Sequence, residues 1–277
     1  MSSKKSAPAQ SRDAARNLAA TMRAEQAARE KRVKIITISA FGVAVAALVA
    51  AIIWAVIASR PAELPEPAPL ATPSVAAESG GIPIGKDGVA GTSNEGAPVV
   101  DVYLDFRCLW CNVFEDTNAA DIAEWRAAGD ITYVLHPVAI LDDAGKFSTR
   151  VAAAAVWIAE KSHEHFDKFV TEMFAVQPET GPQPLSDREI ADIAKTVGAP
   201  AEVVDGIADL TSYKTYASWI ADRTQAAGSD KKLESDLGQG RRGFSTPTIV
   251  VDGEKFEGNW QAPGVLRAAV DAAAKQG

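Results

Sequence analysis

The residues most able to do chemistry are the four at Cys108-Leu109-Trp110-Cys111, which hold both cysteines of the chain three positions apart. A disulfide-stapled scaffold needs more cysteines, better separated, so this pair is not a structural staple. A zinc site needs about four ligands, and His136, His163 and His165 show no ligand spacing around the pair. Redox use is the leading assignment. A dithiol that opens a helix has a physical logic. The first turn leaves backbone N–H groups unpaired and carries partial positive charge. A thiol placed there ionises more easily, and the thiolate is the nucleophile. Arg107 next door could add to that field. The spacing brings the second sulfur within bonding reach of the first. Cys108, the more exposed, would exchange with the substrate. Cys111, one turn in and facing the core with Phe114, would resolve the mixed disulfide.

The flanking sequence supplies such a helix start. Residues 98–106, PVVDVYLDF, alternate with the period of a strand. After Cys108 the period changes: Cys111, Phe114, Asn118, Ile122 and Trp125 share one helical face, and Gly129 is the expected stop. A second strand follows at 131–138, ITYVLHPV, so strand, helix and strand form a βαβ unit with a parallel pair. From about Phe147 to Ala227 the pattern is helical, with Trp157, Phe166, Phe169, Phe174 and Trp219 as core at helical spacing. Strands return at TPTIVVDG (246–253) and EKFEG (254–258), a hairpin turning at Asp252-Gly253. A last helix is expected at about 262–275.

Charge divides the chain. Up to Lys34 nine basic residues face three acidic ones, a +6 tail on a chain of net charge −8, which leaves −14 for the remainder. An acidic globular part argues against nucleic-acid binding. From Ile35 to Ala58 runs an uncharged stretch of about 24 residues, long enough to span a bilayer. Basic residues lie almost entirely before it, so the tail is expected in the cytoplasm and the rest outside. A cleaved signal peptide is the competing reading, with a longer tail and apolar run than such peptides carry. The expected organisation is a basic tail at 1–34, a transmembrane helix at 35–58, and a Pro/Ala- and Gly-rich linker and lead-in at 59–96. A domain follows at 97–277 with a helical insert at about 146–237. The Pro/Ala stretch is expected to be an extended spacer.

The stretch YLDFRCLWCNVFE, with GFSTPTIVVDG about 140 residues later, resembles the DsbA-like branch of the thioredoxin superfamily, in particular its membrane-anchored actinobacterial members. The resemblance covers roughly residues 80–277. It implies an α/β thioredoxin fold with an inserted helical domain, and a protein disulfide oxidoreductase. It further implies a cis proline opposite the dithiol, at Thr246-Pro247, whose backbone would pair with an extended substrate segment; Trp110 is a further candidate for peptide contact. Two departures stand out. Strongly oxidising members often carry Pro and His between the cysteines, where this chain has Leu109 and Trp110. The superfamily's buried acid, six positions before the first cysteine, is replaced by Val102. Asp105 matches an acid common in the branch, and is either a proton relay to Cys111 or a solvated carboxylate at the strand end.

The resemblance implies disulfide formation in exported cysteine-containing proteins. Reoxidation would come from a membrane partner such as a vitamin K epoxide reductase-like or DsbB-like protein. A disulfide reductase or isomerase uses the same chemistry at another poise, and a non-catalytic substrate-binding chaperone would use the groove alone. No metal, nucleotide or flavin site is legible, so no cofactor is expected. His136 is expected to be packed or hydrogen-bonded at a strand end, His163 and His165 to be surface residues, and Arg241 and Arg242 to steer substrates or solvate a loop.

Overall fold

The computed structural model describes residues 64–177 and 183–275, with single positions between 22 and 49 that are helical and exposed. The chain divides into two compact units, Met1–Ala62 and Glu63–Gly277, and the elements below belong to the second. Among the described residues no helix is long and apolar enough to cross a membrane. The tail expected at 1–34 and the span expected at 35–58 lie, those single positions apart, outside the described residues.

The core is a five-stranded sheet. It comprises β1 (Ile82–Ile84), β2 (Val99–Leu104), β3 (Thr132–Pro137), β6 (Thr248–Val251) and β7 (Glu254–Lys255), in the order β1-β3-β2-β6-β7. β2 and β3 are parallel, with Val102 opposite Leu135, and the helix α1 (Leu109–Ala128) crosses between them. The alternation in β2 is realised as burial of Val100, Val102 and Leu104. α1 stops at Gly129, whose φ of 85° is open to glycine; Asp130 N–H then bonds Trp125 O at 2.9 Å and satisfies an end carbonyl. β6 runs antiparallel to β2 and continues into β7 through Asp252 (φ 49°) and Gly253 (φ 83°), the turn expected there.

Between β3 and β6 the described residues form five α-helices: α2 (Phe147–Lys161), α3 (Phe166–Ala175), α4 (Asp187–Thr196), α5 (Ala201–Ala208) and α6 (Thr211–Ser229). A two-stranded hairpin, β4 (Ser235–Asp236) with β5 (Arg242–Gly243), leads back to the sheet, and α7 (Val265–Ala273) closes the domain. The Ala152–Ala155 run of α2 is fully buried, because side chains of one carbon let neighbouring helices approach closely. Phe166, Phe169, Phe174 and Trp219 are buried as expected, while Trp157 is half-buried and donates from Nε1 to Val203 O at 3.2 Å.

The expected organisation needs correcting at its front edge. Regular structure begins ahead of 97: β1 buries Ile82 and Ile84 and pairs antiparallel with β3. Part of the expected spacer is docked rather than free. Ala68 N–H donates to Lys214 O at 2.7 Å, Ser218 Oγ donates to Ala68 O at 2.6 Å, and Ser74 Oγ donates to Glu160 at 2.9 Å. Main chain and small polar groups of the strap make these bonds, and beside them Pro73 is buried and Val75 and Ala76 pack against the core.

Candidate functional site

Cys108 is the N-cap of α1 and Cys111 lies one turn in. Both are reduced. Cys108 keeps 5 % of its surface and Cys111 none, so the expected order holds, though Cys108 is far less open than expected. The Cys108 thiol is pulled down from an ordinary value near 9 to about 6. Its hydrogen bond with Cys111 contributes most. Burial opposes the shift, and Thr246 and the N–H groups of Cys111 and Trp110 assist it. Cys111 moves the other way, pushed well above its ordinary value by burial and by the neighbouring Cys108. The pair is thereby split into a nucleophile and a masked thiol.

The loop before β6 brings Thr246 and Pro247 to the dithiol. The Thr246-Pro247 bond is cis. Cys108 Sγ donates to Thr246 O at 3.2 Å. The Thr246 hydroxyl is buried without an oxygen or nitrogen partner, placed to donate to either sulfur once one ionises. Trp110 is 55 % exposed, and its neighbour Leu109 is exposed as well. Arg107 does not serve the thiolate: its Nη1 bonds Leu141 O and pairs with Asp143, each at 3.1 Å.

Asp105 is fully buried rather than solvated. Its carboxylate accepts from Arg107 N–H (2.8 Å), Leu141 N–H (2.8 Å) and Ser148 Oγ (2.7 Å), and burial, the largest influence, raises its pKa. These bonds tie the dithiol loop to the segment entering the insert. The carboxylate's hydrogen bonds are to those three groups, not to sulfur.

Another acid occupies the inner side of α1. Glu115, one turn beyond Cys111, is buried and its carboxyl is pushed up to about 8, chiefly by burial and then by Asp167. Tyr133 OH lies close enough to lower it, short of a well-formed hydrogen bond. Glu115, Arg126, Tyr133 and Asp167 line a cavity of about 40 Å³, room for a water. Sequence reasoning missed Glu115, although its spacing of four from Cys111 puts it on the inner face with Asn118. Of the other candidates, His136 is buried, bonded to Asp101 at 2.7 Å and stacked on Tyr103 at 4.1 Å. Arg242 bonds Glu234 O at 3.2 Å. Neither His163 nor His165 is exposed: His163 Nδ1 is buried without a partner, and His165 Nδ1 meets Ser162 Oγ at 2.7 Å. Among the described residues no cluster could hold a metal ion.

A thioredoxin family model matches residues 86–272. No curated protein sequence matches the chain. Solved structures do. The MdbA protein of Corynebacterium matruchotii, a thiol-disulfide oxidoreductase, is 25 % identical with a TM-score of 0.54, covering 68 % of this chain and 88 % of its own. Reduced DsbA from Mycobacterium tuberculosis is 27 % identical with a TM-score of 0.54, covering 71 % and 98 %. The disulfide bond oxidoreductase DsbG of the same organism is 27 % identical with a TM-score of 0.55, covering 73 % and 95 %. With a dithiol at a helix start facing a cis proline, and a helical insert between the two, the chain belongs to the thioredoxin family as a DsbA-like protein disulfide oxidoreductase.

Proposed function

We propose that this chain donates disulfides to exported cysteine-containing proteins outside the cytoplasmic membrane, with Cys108 as the exchanging sulfur and Cys111 as the resolving one. The observation that carries this reading is the pKa of Cys108, lowered to about 6 by hydrogen bonds that only the reduced enzyme's thiolate exploits fully. Stabilising the reduced form makes the disulfide form a stronger oxidant. A substrate thiolate attacks Cys108 Sγ of the enzyme disulfide, and the electron pair of the S–S bond leaves on Cys111, which takes up a proton. A second substrate thiolate then attacks the substrate sulfur of the mixed disulfide, and Cys108 departs as the stabilised thiolate. The substrate is oxidised by two electrons and the enzyme is reduced by two. Glu115, whose carboxyl titrates near 8 one turn from Cys111, is the group we assign to carry the Cys111 proton. Asp105 takes the place of a loop anchor in this reading, and Thr246, Pro247 and Trp110 meet the substrate chain.

The uncharged stretch at 35–58 and the basic tail before it support a single membrane anchor with the tail in the cytoplasm. The dithiol formed in each turnover needs a membrane reoxidant, for which a quinone-linked protein of the vitamin K epoxide reductase-like or DsbB-like kind fits. The test is trapping. Oxidised wild-type chain mixed with a reduced unfolded protein should lose its own disulfide as the substrate gains one. Purified Cys111→Ser should capture a mixed disulfide with an oxidised substrate through Cys108, and Cys108→Ser should exchange nothing. A Cys108→Ser chain that still oxidises substrate at the wild-type rate would refute the assignment.

A further inference from the structure

We propose that the loop at 139–142 and the groove behind it form an extended subsite for the substrate polypeptide, separate from the dithiol and its cis proline. The inference rests on the catalytic reading above.

Between α6 and the loop after β3 lies a groove of about 480 Å³, with Pro67, Ala139, Tyr213, Ala217 and Ala221 among its walls. That size suits a ligand of several side chains. The polar groups along it are largely engaged within the protein. Ser218 Oγ is committed to Ala68 O at 2.6 Å; Thr224 Oγ1 donates to Ile220 O at 2.7 Å and accepts from Ala139 N–H at 2.9 Å. Asp142 receives Thr149 Oγ1 at 2.6 Å and Thr149 N–H at 3.0 Å. Lys146, which pairs with Asp142 at 3.5 Å, and Gln225 also line it; the remaining walls are small apolar side chains and Tyr213, which suit the apolar side chains of an unfolded chain.

The groove is joined to the dithiol. Ala139 and Asp142 line it, and between them Ile140 and Leu141 stand exposed by 36 % and 41 %. This apolar ledge is fixed to the active-site loop by short bonds in series. Leu141 N–H donates to Asp105 at 2.8 Å, Arg107 Nη1 donates to Leu141 O at 3.1 Å, and Cys108 N–H donates to Asp105 O at 2.9 Å. Dithiol loop, ledge and groove are thus joined through Arg107, next to Cys108, and Leu141, which lies between the groove residues Ala139 and Asp142. This continuity selects the substrate chain as the occupant, ahead of a second copy of the protein.

The test uses the full chain, oxidised, in detergent solution. Its probes are a reduced five-residue peptide with two cysteines, and the same peptide extended before or after by eight largely apolar residues. Single-turnover rates against peptide concentration give a limiting rate and a half-saturation point. Ala221→Trp fills the groove from an exposed position on α6, and Thr196→Trp on exposed α4 controls for an added indole. The expected result is half-saturation by one extended peptide at about tenfold lower concentration than by the short one. That gain should vanish in Ala221→Trp and persist in Thr196→Trp, with the short peptide handled alike by all three. The proposal is overturned if wild type shows no gain, if the gain survives Ala221→Trp, or if Ala221→Trp instead breaks a dimer of the wild-type chain. A short peptide that fails to exchange at all would sink the catalytic reading first.

Discussion

Two residues one helical turn apart are driven in ways that give each a pH signature. Cys108 is drawn down to about 6 by donors around its sulfur. The rate of iodoacetamide alkylation of the reduced chain should therefore rise through a midpoint near 6, with Cys111 inert. A midpoint at the ordinary thiol value, near 9, would contradict the site's electrostatics. Glu115 holds its proton to about 8 when folded, against 4.5 ordinarily. Between those values the folded chain binds one proton more than the unfolded chain. Its contribution to stability is thus full below about 4.5 and is lost as pH rises through about 8. Glu115→Gln, which cannot ionise, should match wild type at pH 4 and exceed it at pH 7 by about 3 kcal/mol in urea unfolding. A flat difference across that range would show that Glu115 is not held neutral. The dithiol was legible in the sequence because its chemistry is local, a pair of cysteines at a strand-to-helix turn. Glu115 was not, because Tyr133 and Asp167, which help set its environment, come from β3 and α3. Asp105 was legible as an acid near the site, but the donors that hold it, Leu141 and Ser148, arrive only through folding.

At the level of elements, the parallel β2-α1-β3 unit was legible because alternation and helical period each span enough residues to register. The three-residue β1 and the docked strap were not. β1 is short and interrupted by Pro83, and the strap is held by the main chain of Ala68, by Ser74 and by the small side chains of Val75 and Ala76, too few and too irregular to register as a pattern. The insert depends on close packing of a kind equally silent in sequence. A Cβ on Gly206 would meet the Trp157 ring at 2.8 Å. Gly206→Ala should therefore push α5 from α2 and cost about 1–3 kcal/mol, despite the better helix propensity of alanine. Thermal unfolding checks the sign, since a stabilised variant would mean that the ring has room to move.

On the scale of the whole molecule, a strongly acidic domain carries one reactive sulfur at the end of its central strand, beside the ledge and groove that enter the insert. Its oxidising power sets what it can do to a passing chain. Thioredoxin combines a cysteine pKa near 7 with about −270 mV, and DsbA a pKa near 3.5 with about −120 mV, so a Cys108 thiol drawn below thioredoxin's points to the oxidising side of thioredoxin. Structural disulfides of exported proteins lie below about −300 mV, so transfer from a Cys108–Cys111 couple above that value runs downhill. The direct measurement is the reduction potential of the Cys108–Cys111 couple, equilibrated against glutathione at pH 7. The account predicts a value more oxidising than about −270 mV, and a couple at about −300 mV or below, which could not oxidise such cysteines, would contradict it.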